Sequence, residues 1–72
     1  MKATFRGRAV QVEKHRKEDV LVGDRVVSRM IYKDGDGNKF IKRKDGGLSK
    51  VRLYRHYSAY HVHIFYEIVE GE

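Results

Sequence analysis

Cysteine, proline and tryptophan are all absent from this 72-residue chain. Without cysteine there is no disulfide framework, and no Cys/His cluster from which to build a structural zinc site, so the usual staples of small folds are missing. A domain of this length buries only about 60% of the surface its unfolded chain exposes. The core must therefore be thin, and stability must come from sheet packing, with a partner or a second copy (a homo-oligomer) as a further source. No stretch approaches the roughly 18 consecutive apolar residues of a membrane span. The segment Met1-Lys2-Ala3-Thr4-Phe5-Arg6 lacks the apolar run of a signal peptide, so the expectation is a cytoplasmic protein with no membrane partner. The lack of cysteine fits a reducing compartment. With no internal repeat and no low-complexity linker, residues 1–72 read as a single small β-rich domain.

Catalytic chemistry finds little to work with. There is no thiol nucleophile, serine occurs only at Ser28, Ser49 and Ser58, and no glycine-rich segment leads from a strand into a helix to cradle phosphate. The expectation is a non-enzyme without a cofactor.

What is abundant is positive charge. Sixteen Lys and Arg against ten Asp and Glu leave +6, and because residues 58–72 carry only Glu67, Glu70 and Glu72, residues 1–57 hold +9. Such a body attracts polyanions and speeds their encounter, which selects nucleic acid or an acidic protein surface as partner classes. A charge of this size also serves solubility alone.

Periodicity favours strands. Residues 2–13 alternate imperfectly, with Gly7 placed where a bulge could reset the register. The charged stretch Glu13–Asp19 reads as an exposed loop. Val20-Leu21-Val22, a turn at Gly23-Asp24, and Arg25–Lys33 follow, with Val26, Met30 and Tyr32 on one face and Val27 and Ile31 on the other. Asp34-Gly35-Asp36-Gly37-Asn38 reads as a hairpin loop, being dense in residues that tolerate positive φ. Lys39–Lys44 reads as an edge strand guarded by its lysines. In Lys50–Tyr57, Val51, Leu53 and Tyr57 oppose Lys50, Arg52, Tyr54 and His56. In Tyr60–Val69, Tyr60, Val62, Ile64, Tyr66 and Ile68 oppose His61, His63, Phe65 and Glu67. The fold expected is all-β, a five-stranded meander or small SH3-like barrel. The alternative is an α+β arrangement with a C-terminal helix, since Leu53, Tyr57, Tyr60, Ile64 and Ile68 also recur at intervals of three and four.

Two spacings suggest metal. Asp34-x-Asp36-x-Asn38, continuing to Asp45, resembles an EF-hand calcium loop, but Lys39 stands where glycine is needed and cations fill the loop. His61-x-His63-x-x-x-Glu67 resembles the first metal motif of cupins, whose longer barrel and later histidine this chain lacks. His15 and His56 are the only further imidazoles. Aromatics and cations interleave from Arg52 to His61, a pattern suited to stacking single-stranded bases while neutralising phosphates. The contact residues expected, for nucleic acid or an acidic partner, are Lys42, Arg43, Lys44, Lys50, Arg52, Tyr54 and Arg55, followed by Arg6 and Arg8.

Overall fold

A computed structural model describes residues 1–69; Glu70 and Glu72, counted in the charge balance above, lie outside the described residues. Seven strands are present: β1 (Lys2–Phe5), β2 (Arg8–Gln11), β3 (Glu13–Val22), β4 (Arg25–Lys33), β5 (Lys39–Lys42), β6 (Leu48–Tyr57) and β7 (Val62–Ile68). No helix occurs among the described residues, so the helical alternative for the C-terminal segment is set aside in favour of β6 and β7. Aromatic and β-branched residues dominate those strands, and such side chains pack well on a pleated surface.

Strands β3 to β7 form a closed five-stranded barrel in chain order, of the small SH3-like kind. Each neighbour is antiparallel to the last, and five is odd, so the closing pair must be parallel. That pair is short: Val20 opposite Tyr66 and Leu21 opposite Glu67. Val20, Ile31, Ile41, Val51 and Tyr66 make the barrel interior, one residue from each strand. Below this layer the Lys39 ammonium donates to the Tyr66 hydroxyl at 2.7 Å, giving the phenol a partner at the edge of the core.

The N-terminal segment departs from the single bulged strand expected of residues 2–13. It is a two-stranded hairpin turning at Arg6 and Gly7, both with positive φ (52° and 77°), as a two-residue loop matched to strand twist requires. Phe5, Val10 and Ala3 lay this hairpin over the outer side of the barrel, against Val12, Tyr32, Phe40 and Leu48. Phe5 and Phe40 meet edge to face with centroids 5.0 Å apart. The protein thus has two thin cores sharing β4, β5 and β6 as their common wall.

Glu13–Asp19 is the second departure: it is strand, not loop. Its backbone is satisfied by pairing with β4, and its charges remain in water while matching opposite charges across the ladder, Glu13 facing Lys33 and Glu18 facing Arg29. His15 is the extra residue of a bulge between Lys14 and Arg16. The third concerns β5, which pairs with β4 on one side and β6 on the other and is no edge. Its lysines are accommodated because Lys39 lies at the barrel end and Lys42 points outward.

Phe40 is nearly fully buried and spans the seam between hairpin and barrel. Phe40→Ala should cost about 3–5 kcal/mol. Urea unfolding of the variant measures this, and a loss below about 1 kcal/mol would show that the seam contributes little.

Candidate functional site

Pairing beyond the barrel defines the site. β5 reaches β6 only as far as Val51, and β3 meets β7 only at Tyr66 and Glu67. Tyr54–Tyr57 and Val62–Phe65 therefore pair with each other alone, from Tyr54 opposite Phe65 to Tyr57 opposite Val62. This hairpin arm accords with the elongated extents of the molecule, 42 × 21 × 18 Å. At its tip Ser58 closes the turn: its N–H and hydroxyl both donate to the His61 carbonyl, each at 2.9 Å. Tyr60 stands there 95% exposed.

Alternation gives the arm two faces of different chemistry. The face continuing the barrel interior carries Leu53, Arg55, Tyr57, Val62 and Ile64. Here Leu53, Val62 and Ile64 are 49, 48 and 53% exposed, because the pattern that buries Val51 and Tyr66 runs on past the end of the core. The sequence pattern marks these residues as inward, and the ladder confirms their side of the sheet but leaves them uncovered.

The outer face carries Lys50, Arg52, Tyr54 and His56 from β6, and His63, Phe65 and Glu67 from β7. Tyr54 and Phe65 are cross-strand partners, their rings tilted at 44° with centroids 5.4 Å apart. Arg52 Nε donates to Glu67 Oε1 at 2.7 Å. Only one of the five guanidinium N–H groups makes that bond, and the Arg52 side chain remains largely exposed.

The anticipated contact residues do not form one patch. Lys50, Arg52 and Tyr54 share the outer face, whereas Arg55 projects from the opposite one. Lys42, Arg43 and Lys44 gather at the β5–β6 turn; Arg43 pairs with Asp45 at 3.3 Å, and the Lys42 ammonium rests 3.9 Å from the Met1 sulfur. Arg6 lies beside the Phe5 ring and Arg8 opposite Phe5 on the N-terminal hairpin. Phe65 is the platform member that sequence reasoning left out. The cross-strand register set by the Ser58–His61 turn is the signal that places it against Tyr54.

The two metal spacings fare differently from their templates. Asp34 spends its carboxylate on its own loop, Oδ1 accepting from the N–H groups of Asp36 and Asn38 and Oδ2 from Asn38 Nδ2, all at 2.9 Å. Strands flank it, so the segment is a hairpin turn. Glu67 is held by Arg52, four register pairs along β7 from His63, and does not join the histidines. The rings of His61 and His63 do meet, at 4.2 Å between centroids, with their Nε2 atoms in direct contact. Among the described residues no group of three or more His, Asp or Glu side chains is placed, as it stands, to hold a metal ion.

A recess of about 460 Å³ away from the arm is walled by Glu13, His15, Lys33 and Asp34 among others. There His15 is held below its ordinary value by lost hydration first, then by repulsion from Lys33, Arg16 and Lys39. No helix among the described residues is long and apolar enough to cross a membrane. Comparison with protein-family models, with curated proteins and with solved structures returns no match.

The side-chain bond from Asn38 is the main reason the Asp34 carboxyl lies below its ordinary 3.8, with backbone N–H groups adding to it. A carboxyl depressed on folding contributes stability that is full above its unfolded value and lost as pH falls through the folded one. Asn38→Ala should move the Asp34 titration, followed by carboxyl ¹³C NMR, up toward 3.8. An unmoved Asp34 would assign the shift to the backbone donors instead.

Proposed function

We propose that this protein is a small binding module for single-stranded nucleic acid, engaged through the outer face of the β6–β7 arm. The observation that carries the reading is the Tyr54–Phe65 ring pair set among Lys50, Arg52 and His56 on one exposed sheet face. Bases stack on such rings irrespective of sequence, each stack contributing about 1–3 kcal/mol, while adjacent cations neutralise phosphates and release their counterions. The bond to Glu67 orients Arg52 across the face, and the net charge of +6 draws a polyanion toward it. Nothing in the reading requires base-edge recognition, so tolerance of sequence is expected.

Binding of labelled single-stranded DNA and RNA at two salt concentrations tests it. Tyr54→Ala should weaken binding by roughly tenfold, about 1.4 kcal/mol, with the salt slope unchanged. Arg52→Ala should weaken it and flatten the slope by about 0.7, one phosphate contact on a single strand. If neither variant differs from wild type, the outer face is not the contact surface.

A second reading rests on the other face. Half-exposed Leu53, Val62 and Ile64 beside Arg55 offer an apolar strip with a cation, the complement of an acidic, partly apolar protein segment. Leu53→Ser with Ile64→Ser leaves nucleic-acid affinity intact under the first reading, because those side chains point away from Tyr54. Wild-type affinity that disappears at near-physiological salt would turn the assignment to this strip.

A further inference from the structure

Three of the four histidines in the chain lie at the end of the arm, and they lie on one side of it. His56 and His63 are directly paired across β6 and β7, so their Cβ atoms are about 4.5–5.5 Å apart on a shared face. His61, one residue before β7 begins, turns its ring onto that of His63, bringing the two Nε2 atoms into contact. The face borders a groove of about 480 Å³ lined by Asp19, Val26, His56, His63, Ile64 and Phe65. The groove supplies a carboxylate from β3 opposite the imidazoles and an apolar floor beneath them.

We propose that His61 and His63 form a chelating pair for a divalent late first-row ion, with His56 as the third ligand. Zinc, copper(II) and nickel(II) are the ions that imidazole nitrogen suits, and magnesium and calcium, which take oxygen ligands, are excluded. The two ring nitrogens already meet on one exposed face, so side-chain rotation alone separates them enough to present both lone pairs to one ion, without rearranging the backbone. His56 then needs only a side-chain rotation, since its place on the ladder already puts it on the correct face. All three side chains are exposed, so that rotation meets no packed neighbour. Three imidazoles leave a fourth position open, toward which Asp19 or a water is the available oxygen. The local charge leaves room for a cation despite the basic chain: Glu67 pairs with Arg52 on this face, Asp19 lines the groove, and Arg55 projects from the other face. The chelating pair, His61 and His63, is separate from the Tyr54–Phe65 ring pair, and His56 alone is shared with the surround of that pair.

The test uses the full chain without an affinity tag, freed of metal by a chelator. Zinc is titrated and followed by isothermal calorimetry and by imidazole ¹H–¹⁵N correlation spectra. The expected result is one equivalent bound, with the resonances of His56, His61 and His63 shifted, His15 unmoved, and magnesium without effect. His61→Ala and His63→Ala should each abolish saturable binding, and His56→Ala should weaken it by about tenfold or more. An unperturbed wild-type spectrum at excess zinc overturns the proposal without reliance on any variant, as does a response centred on His15. Retention of full affinity by His61→Ala or His63→Ala overturns it equally.

Discussion

Everything in this molecule hangs on closing a barrel of five alternating strands with a parallel contact two residue pairs long. Closure removes the exposed edges that a five-stranded open sheet would present, and an odd strand count dictates that the last contact be parallel. Val20 and Tyr66 form that contact and are themselves two of the five interior residues. The same side chains therefore both seal the sheet and fill it. A single layer with one residue per strand leaves no redundancy, which is why a second core, under the N-terminal hairpin, braces the outer side of the same strands.

The short closure also explains the arm. Once β7 leaves β3 below Tyr66, and β6 leaves β5 after Val51, the two strands have only each other, and their alternation continues with nothing to cover the inward side. An apolar strip, a cross-strand aromatic pair and a group of imidazoles thus share one element. The chemistry of the protein is gathered where its packing ends, and the barrel holds the base of that element in place.

Much of this was legible in the residues. Two-residue periodicity assigned Val51 and Leu53 to one side of β6 and Lys50, Arg52, Tyr54 and His56 to the other, and the ladder has the same division. Asp34–Asn38 carried its own turn chemistry and formed that turn. Glu13–Asp19 misled because composition reports solvation, and a strand paired along its backbone can keep its side chains in water. Arg6-Gly7 misled because one glycine is compatible with a bulge or a turn; Arg6 at positive φ settles it as a turn, a state a bulky residue adopts only when the surrounding ladder imposes it. Exposure of Ile64 was not legible, because alternation specifies a side of the sheet and says nothing of whether another strand lies over it. The Tyr54–Phe65 pair required a register, which is a property of two strands and of the turn between them.

The parallel contact has a consequence for how the chain comes into being. A ribosome releases β3 long before β7, so Val20 waits without its partner while β4, β5 and β6 emerge and pair in turn. Until Tyr66 arrives the nascent sheet is open along the whole length of β3, with Ile31, Ile41 and Val51 facing water. Pairing in turn shortens the loop that remains, so the closing step joins the two edges of a sheet already built. The β1–β2 hairpin emerges before the barrel strands and pairs locally, but the wall it packs on comes later. Barrel closure is therefore held back until β7 is made, and the interval before it is when the growing chain most needs to be kept apart from its neighbours.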